Sequence, residues 1–119
     1  MATYLLLPGF GGQASEVVAT TADSVAHYTN SYDLSRCSHV AAQVSVWAAG
    51  TLTLLAQQSF DNQVTWADLG SAVTVVAGDV LRYDAQDGPL GVVRFKLVSS
   101  DTAANATIKI TGFPNPVKL

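Results

Sequence analysis

The segment Val40-Ala41-Ala42-Gln43-Val44-Ser45-Val46-Trp47-Ala48 alternates without a break. Val40, Ala42, Val44, Val46 and Ala48 fall on one side of an extended chain, and Ala41, Gln43, Ser45 and Trp47 on the other. A period of two with one apolar side marks a strand half-buried in a sheet that has one wet face. The same period recurs on either side of it. Leu52, Leu54 and Ala56 alternate with Thr51, Thr53 and Leu55; Val93, Phe95 and Leu97 with Arg94 and Lys96; Ala106, Ile108 and Ile110 with Thr107, Lys109 and Thr111. Residues 3–7, 16–21, 25–29, 64–69, 72–76 and 80–84 read as further short strands. Turn clusters such as Asp61-Asn62, Ala77-Gly78-Asp79 and Asp87-Gly88-Pro89 separate several of them. No stretch carries a helical period; the short segments 22–25 and 103–105 leave room for a single helical turn. Eight to ten short strands with turns between them predict an all-β chain, a two-sheet antiparallel β-sandwich that is jelly-roll-like.

Register adds detail. With Ala49-Gly50-Thr51 as a three-residue loop, Ala48 faces Leu52, Val46 faces Leu54 and Val44 faces Ala56, so all six share the core side. A two-residue loop would put the two apolar sets on opposite faces. The sequence thus predicts a hairpin here. The expected inward positions are Val44, Val46, Leu52, Leu54, Trp66, Val93, Phe95, Leu97, Ile108 and Ile110. Residues 1–12 read as an N-terminal arm, 13–113 as the sandwich and 114–119 as a proline-bearing C-terminal tail. In the arm, Tyr4, Leu5, Leu6 and Leu7 are consecutive, and Pro8, Gly9, Phe10, Gly11 and Gly12 follow. Adjacent side chains on a strand point to opposite faces, so this patch needs cover on both sides. Either the arm's outer face docks on a neighbour, or it is an ordinary first strand covered by its own chain.

The composition narrows the function. Of 119 residues, 49 % are hydrophobic and only 13 % charged, against about 25 % charged in an average chain. The net charge is -3 and the pI 4.9. Six scattered cations do not make the basic patch of a nucleic-acid binder. The apolar run in the arm is far shorter than the roughly 20 residues that span a bilayer and lacks the layout of a signal peptide. We therefore expect neither nucleic acid nor a membrane as partner. A single cysteine rules out a disulfide within the chain. The exterior must be covered by Ala, Ser, Thr, Gln and Asn, and such neutral surfaces are cheaper to desolvate against another protein than ionic ones. This points to a subunit of a larger assembly, a homo-oligomer.

Catalytic patterns are missing. Cys37-Ser38-His39 puts a thiol and an imidazole on one face of a strand, with Asp33 as the one nearby group to orient them; a buried structural cysteine beside a surface histidine accounts for it as well. Cys37, His27 and His39 have no metal-ligand spacing. Asp84-Ala85-Gln86-Asp87-Gly88 lacks the alternate oxygen ligands and closing Glu of a calcium loop. Glu16 is the one glutamate, which leaves no glutamate pair for glycosidase chemistry. Gly9-Phe10-Gly11-Gly12 lacks the Lys-Ser/Thr of a phosphate loop. Asn105-Ala106-Thr107 is a glycosylation sequon of a kind that arises often by chance. The expectation is a non-enzyme with no catalytic residue, no cofactor and no metal.

The stretch Gln57-Gln58-Ser59-Phe60-Asp61-Asn62-Gln63-Val64-Thr65-Trp66-Ala67-Asp68-Leu69 resembles a small β-sandwich module of tailed-bacteriophage structural proteins. The pattern there is Gln-x-Ser-x-Asp-Gly, a short gap, then Trp-x-x-Leu. Gln57, Ser59, Asp61, Trp66 and Leu69 match, and Asn62 replaces the glycine with a residue that also tolerates positive φ. Val93-Arg94-Phe95-Lys96-Leu97-Val98 and residues 106–112 resemble later strands of the same module. The likeness runs over residues 33–113. The same residues also make sense as a fold device alone, with Ser59 and Asp61 bonding turn amides. The resemblance implies a virion protein: a head decoration (cement) subunit on the outer surface of the capsid, a dimer or trimer bound to the major capsid protein. The alternatives are a tail or baseplate subunit and, from another class, a carbohydrate-binding module using Trp47, Tyr28, Tyr32 and Tyr83. The candidate protein–protein contacts are Tyr4, Leu5, Leu6, Leu7, Phe10 and Trp47.

Overall fold

The structure is a computed structural model that describes residues 3–5, 13–46, 51–76, 80–86, 90–100 and 103–113, without the side chains of 46, 80–86 and 104. Ten strands follow in order: β1 (Thr3–Leu5), β2 (Gln13–Thr20), β3 (Ala26–Tyr28), β4 (Ser31–Asp33), β5 (His39–Val46), β6 (Thr51–Ser59), β7 (Ala67–Val76), β8 (Val80–Gln86), β9 (Val92–Ser99) and β10 (Ala104–Phe113). The described residues contain no helix, so neither of the two segments left open for a helical turn forms one.

The strands make two sheets. Sheet I runs β1-β4-β9-β6-β7, with β3 also paired to β9; sheet II runs β2-β10-β5-β8. Their apolar faces close on each other, as a β-sandwich requires. Leu52, Leu54, Ala56, Leu69, Val75, Val93, Phe95 and Leu97 come from sheet I, and Val18, Val40, Ala42, Val44, Ala106, Ile108 and Ile110 from sheet II. Eight of the ten expected inward positions lie in this core. Val46 falls outside the described side chains. Trp66 is a correction: it is only half-buried and lies against Arg94 rather than in the core. It belongs to the turn before β7, where strand parity does not apply, and strand 64–69 in fact starts at Ala67 and runs on through Val76.

The hairpin expected between β5 and β6 does not form. β5 sits between β10 and β8 in sheet II, and β6 between β9 and β7 in sheet I. Val44 of β5 and Leu52, Leu54 and Ala56 of β6 are buried as expected, but the two strands lie in opposite sheets rather than side by side. Alternation fixes which side of a strand is dry, and a sandwich offers two ways to keep it dry. A second departure is that β1 pairs parallel with β4, so sheet I is mixed.

Local interactions adjust the edges. β3 and β4 flank the same side of β9 and act as one strand broken at Thr29-Asn30. Thr29 bridges the break: its N–H donates to the Phe95 carbonyl at 2.9 Å, and its hydroxyl accepts from the Phe95 N–H at 3.0 Å. Glu16 ties the sheets together. Its carboxylate accepts from the Tyr32 hydroxyl and from the Asn30 N–H at 3.1 and 3.2 Å. Burial, then the Glu16 contact, pushes the Tyr32 phenol up in pKa, so it stays a donor. Gly91 allows the closest backbone approach. A Cβ there would meet the Ser59 carbonyl oxygen at 2.5 Å and the Phe60 ring at 2.9 Å. Because the obstacle is backbone, Gly91→Ala must displace the end of β6. We expect a loss of about 1–3 kcal/mol, read as a lower urea midpoint; an unchanged midpoint contradicts this packing.

Candidate interaction surface

Arg94 stands outward on β9, between the buried Val93 and Phe95. Its guanidinium lies between two aromatic rings, 3.9 Å from the Tyr28 centroid and 4.1 Å from that of Trp66. Arg94 Nε donates to Gln57 Oε1 at 3.1 Å, and Gln57 Nε2 donates to Asp68 Oδ1 at 3.1 Å. Register makes this row: Gln57 is directly opposite Arg94 on one side and Asp68 on the other. Partial burial lowers the Arg94 pKa. The result is a stiff aromatic–arginine–amide–carboxylate row across four strands' worth of the outer face of sheet I. A cation over a ring contributes about 0.5–1 kcal/mol at an exposed site.

The turn before β7 holds Trp66 in place. Ser59 donates to Asp61 Oδ1 at 2.8 Å, and Ser59 Oγ accepts from the Gln63 N–H at 3.0 Å. Asp61 also accepts from the Thr65 N–H at 2.9 Å and from the Thr65 hydroxyl. Asn62 and Gln63 adopt φ of 60° and 66°; asparagine fits the first of these readily. Gln63 then reaches over the sheet. Its Oε1 accepts from Ser31 at 2.9 Å, and its Nε2 donates to Thr3 Oγ1 at 3.1 Å, pinning the turn to β4 and β1. Ser59 and Asp61 therefore bond turn amides as the residue types suggest. Phe60 and Val64 project from this turn, 69 % and 78 % exposed.

Of the contact residues read from sequence, Tyr4 and Leu5 lie on β1 and are half-exposed at 49 % and 54 %. Tyr4 stacks on Tyr32, centroids 5.9 Å apart. Leu6, Leu7, Phe10 and Trp47 lie outside the described residues. Sequence reasoning missed the Tyr28–Arg94–Trp66 stack. Parity did place Arg94 outward, but nothing in the spacing brings residues 28, 66 and 94 together. Tyr32, weighed as a glycan-facing aromatic, is corrected: it is a buried core residue. The side chain of Tyr83 lies outside those described.

The second outer face is shallow. Gln13, Ala41, Gln43, Lys109, Thr111 and Phe113 line a depression on sheet II. His39 meets Phe113 edge-on at 5.2 Å. Cys37 precedes β5 rather than lying on it with His39. It is buried, and burial, then Asp33, raises its thiol pKa, so it is a protonated thiol at neutral pH. Among the described residues no three His, Cys, Asp or Glu side chains cluster as a metal site, and no helix is long and apolar enough to cross a membrane.

No protein-family model matches the chain, and no curated protein matches it. Two solved structures align with it. The PBSX exported protein XepA superposes with a TM-score of 0.67 at 20 % identity, over 89 % of this chain and 39 % of that one. This chain thus spans well under half the length of that protein, and the likeness is one of fold. A subunit of Bacillus endospore appendages, disulfide-linked pili, aligns with a TM-score of 0.46 at 12 % identity, over 85 % of this chain and 87 % of that one.

Asp61 gives the surface a measurable signature. The Thr65 hydroxyl and N–H and the Ser59 hydroxyl hold its pKa down at about 2, against an ordinary 3.8. A carboxylate lowered in the folded state contributes stability above its unfolded pKa and loses it as pH falls through the folded value. Asp61→Asn should therefore lower the thermal midpoint near neutral pH, and the gap to wild type should close as pH falls from about 4 to about 2. A gap independent of pH contradicts the turn network.

Proposed function

We propose that the chain is a non-catalytic structural subunit of a tailed-bacteriophage particle, and that it decorates the outer capsid surface by binding the major capsid protein. The observation that carries this reading is the Tyr28–Arg94–Trp66 stack on the outer face of sheet I. Arginine, tyrosine and tryptophan are the residues that dominate binding energy at protein interfaces. Here the arginine is already held by Gln57 and two rings, so little side-chain entropy is lost on docking. Phe60 and Val64 stand exposed on the turn that leads to Trp66, and Leu5, on the same side of sheet I as Arg94 by register, extends the contact from β1.

Three further supports come from the fold, the sequence motif and the composition. The fold is shared with an exported protein of phage PBSX. The Gln57-to-Leu69 motif resembles that of phage structural modules, and it builds the turn that presents Trp66. The acidic, charge-poor surface suits an exterior position better than contact with packaged DNA. A decoration subunit that binds only the assembled shell stabilises it by mass action, and repetition over the lattice adds avidity.

Arg94→Ala should fold normally by circular dichroism and bind undecorated particles about thirtyfold more weakly, the loss of one interface anchor. Wild-type affinity in that variant contradicts the reading; binding to isolated tails instead of heads favours the tail subunit, and to glycans the carbohydrate module. Deleting residues 1–8 should also leave the sandwich folded, because β1 is exposed throughout, and should weaken particle binding. A truncated chain that decorates as well as the full one removes β1 from the interface.

A further inference from the structure

A strand at the edge of a sheet offers unpaired N–H and C=O groups to any other strand, and folded proteins guard such edges. The edges of this sandwich are guarded unequally. β1 and β3 are three residues each. β7 is broken by a bulge, where Leu55 faces the three residues 70–72 and Gly70 takes a φ of 84°. β8 carries Arg82 and Asp84. β2 has none of these devices. It is eight residues long, its ladder with β10 runs without a register shift, and among the described residues no strand pairs with its other side. Its outward row is Gln13, Ser15, Val17 and Ala19, all neutral, with Val17 64 % exposed. The one charge, Glu16, points inward and is held across the sandwich by Tyr32 and Asn30, so it does not guard the edge.

We propose that β2 pairs with β2 of a second copy of this chain, antiparallel about a two-fold axis through Val17. Two four-stranded sheets then become one continuous sheet. An antiparallel strand is its own complement under a two-fold axis, which is why the occupant is a second copy. Two constraints narrow the register, and the exposure of Val17 selects within them. A two-fold axis perpendicular to the sheet keeps both dry faces on one side, so inward residues oppose inward ones and outward oppose outward. Centring on Glu16 sets two carboxylates opposite each other, which is destabilising. Centring on Val17 puts Val17 against Val17, Ser15 against Ala19 and Glu16 against Val18. The contact covers the most exposed valine of the strand and leaves the outer face of sheet I clear for another partner. It does not depend on the shell assignment.

Cysteine cross-linking in a Cys37→Ser background tests both contact and register. Opposed Cα atoms in an antiparallel pair are about 4.5–5.5 Å apart, within disulfide reach. Val17→Cys should give a covalent dimer on mild oxidation. Ser15→Cys mixed with Ala19→Cys should cross-link, and neither should cross-link alone, because each lies roughly 13 Å from its own copy. In sedimentation, wild type and Val76→Lys should be dimers at micromolar concentration, and Val17→Lys a folded monomer. A monomeric wild type, a Val17→Lys dimer, or Ser15→Cys cross-linking by itself overturns the proposal.

Discussion

Each long strand of this chain has one dry side, and that one-sidedness forces two sheets to close on each other. Leu52, Leu54 and Ala56 on β6 cannot be covered by anything in their own sheet; nor can Val40, Ala42 and Val44 on β5. Only the opposite sheet supplies the missing contacts, at about 25 cal/mol per Å² of apolar surface removed from water. The pairing that results is mostly non-local. β2 and β10, from opposite ends of the chain, lie side by side, with Val17 opposite Thr107. The closing of the ends makes the sandwich depend on the whole chain rather than on any hairpin, a topology that folds slowly.

With the inner faces committed, function is left to the outer faces and edges. On sheet I the carboxylate of Asp61 organises what is presented. It ends β6, turns the chain through two left-handed residues and delivers Trp66 onto Arg94. The same turn sends Gln63 over β4 and β1. The motif that looks like a phage signature in the sequence is thus a device for shaping one surface. It also explains why Asn62 can stand where the modules it resembles have glycine: the position needs positive φ, and asparagine accepts it.

The alternation of Val40 to Val44, Leu52 to Ala56, Val93 to Leu97 and Ala106 to Ile110 made the sandwich and most of its core legible from sequence. Period two reports side, and side is all that burial needs. It is silent on neighbours, and so β5 and β6 read as a hairpin when they lie in opposite sheets. It is silent too on residues in turns. Trp66 looked like core because it is large and apolar, yet its place was set by the Ser59–Asp61–Thr65 bonds. The Tyr28–Arg94–Trp66 stack draws on three distant segments, and only the strand register brings them together. Glu16 was visible as the one glutamate, but its role as a link between sheets rests on Asn30 and Tyr32 arriving opposite it.

The central claim is that the outer face of sheet I is a docking face on a phage shell. A cryo-electron density map of the native particle that contains this chain tests it most directly. The account predicts the sandwich on the outside of the capsid, with Tyr28, Arg94 and Trp66 turned onto a capsid subunit. Density for the chain in the tail, or on the shell with that face turned to solvent, would contradict it.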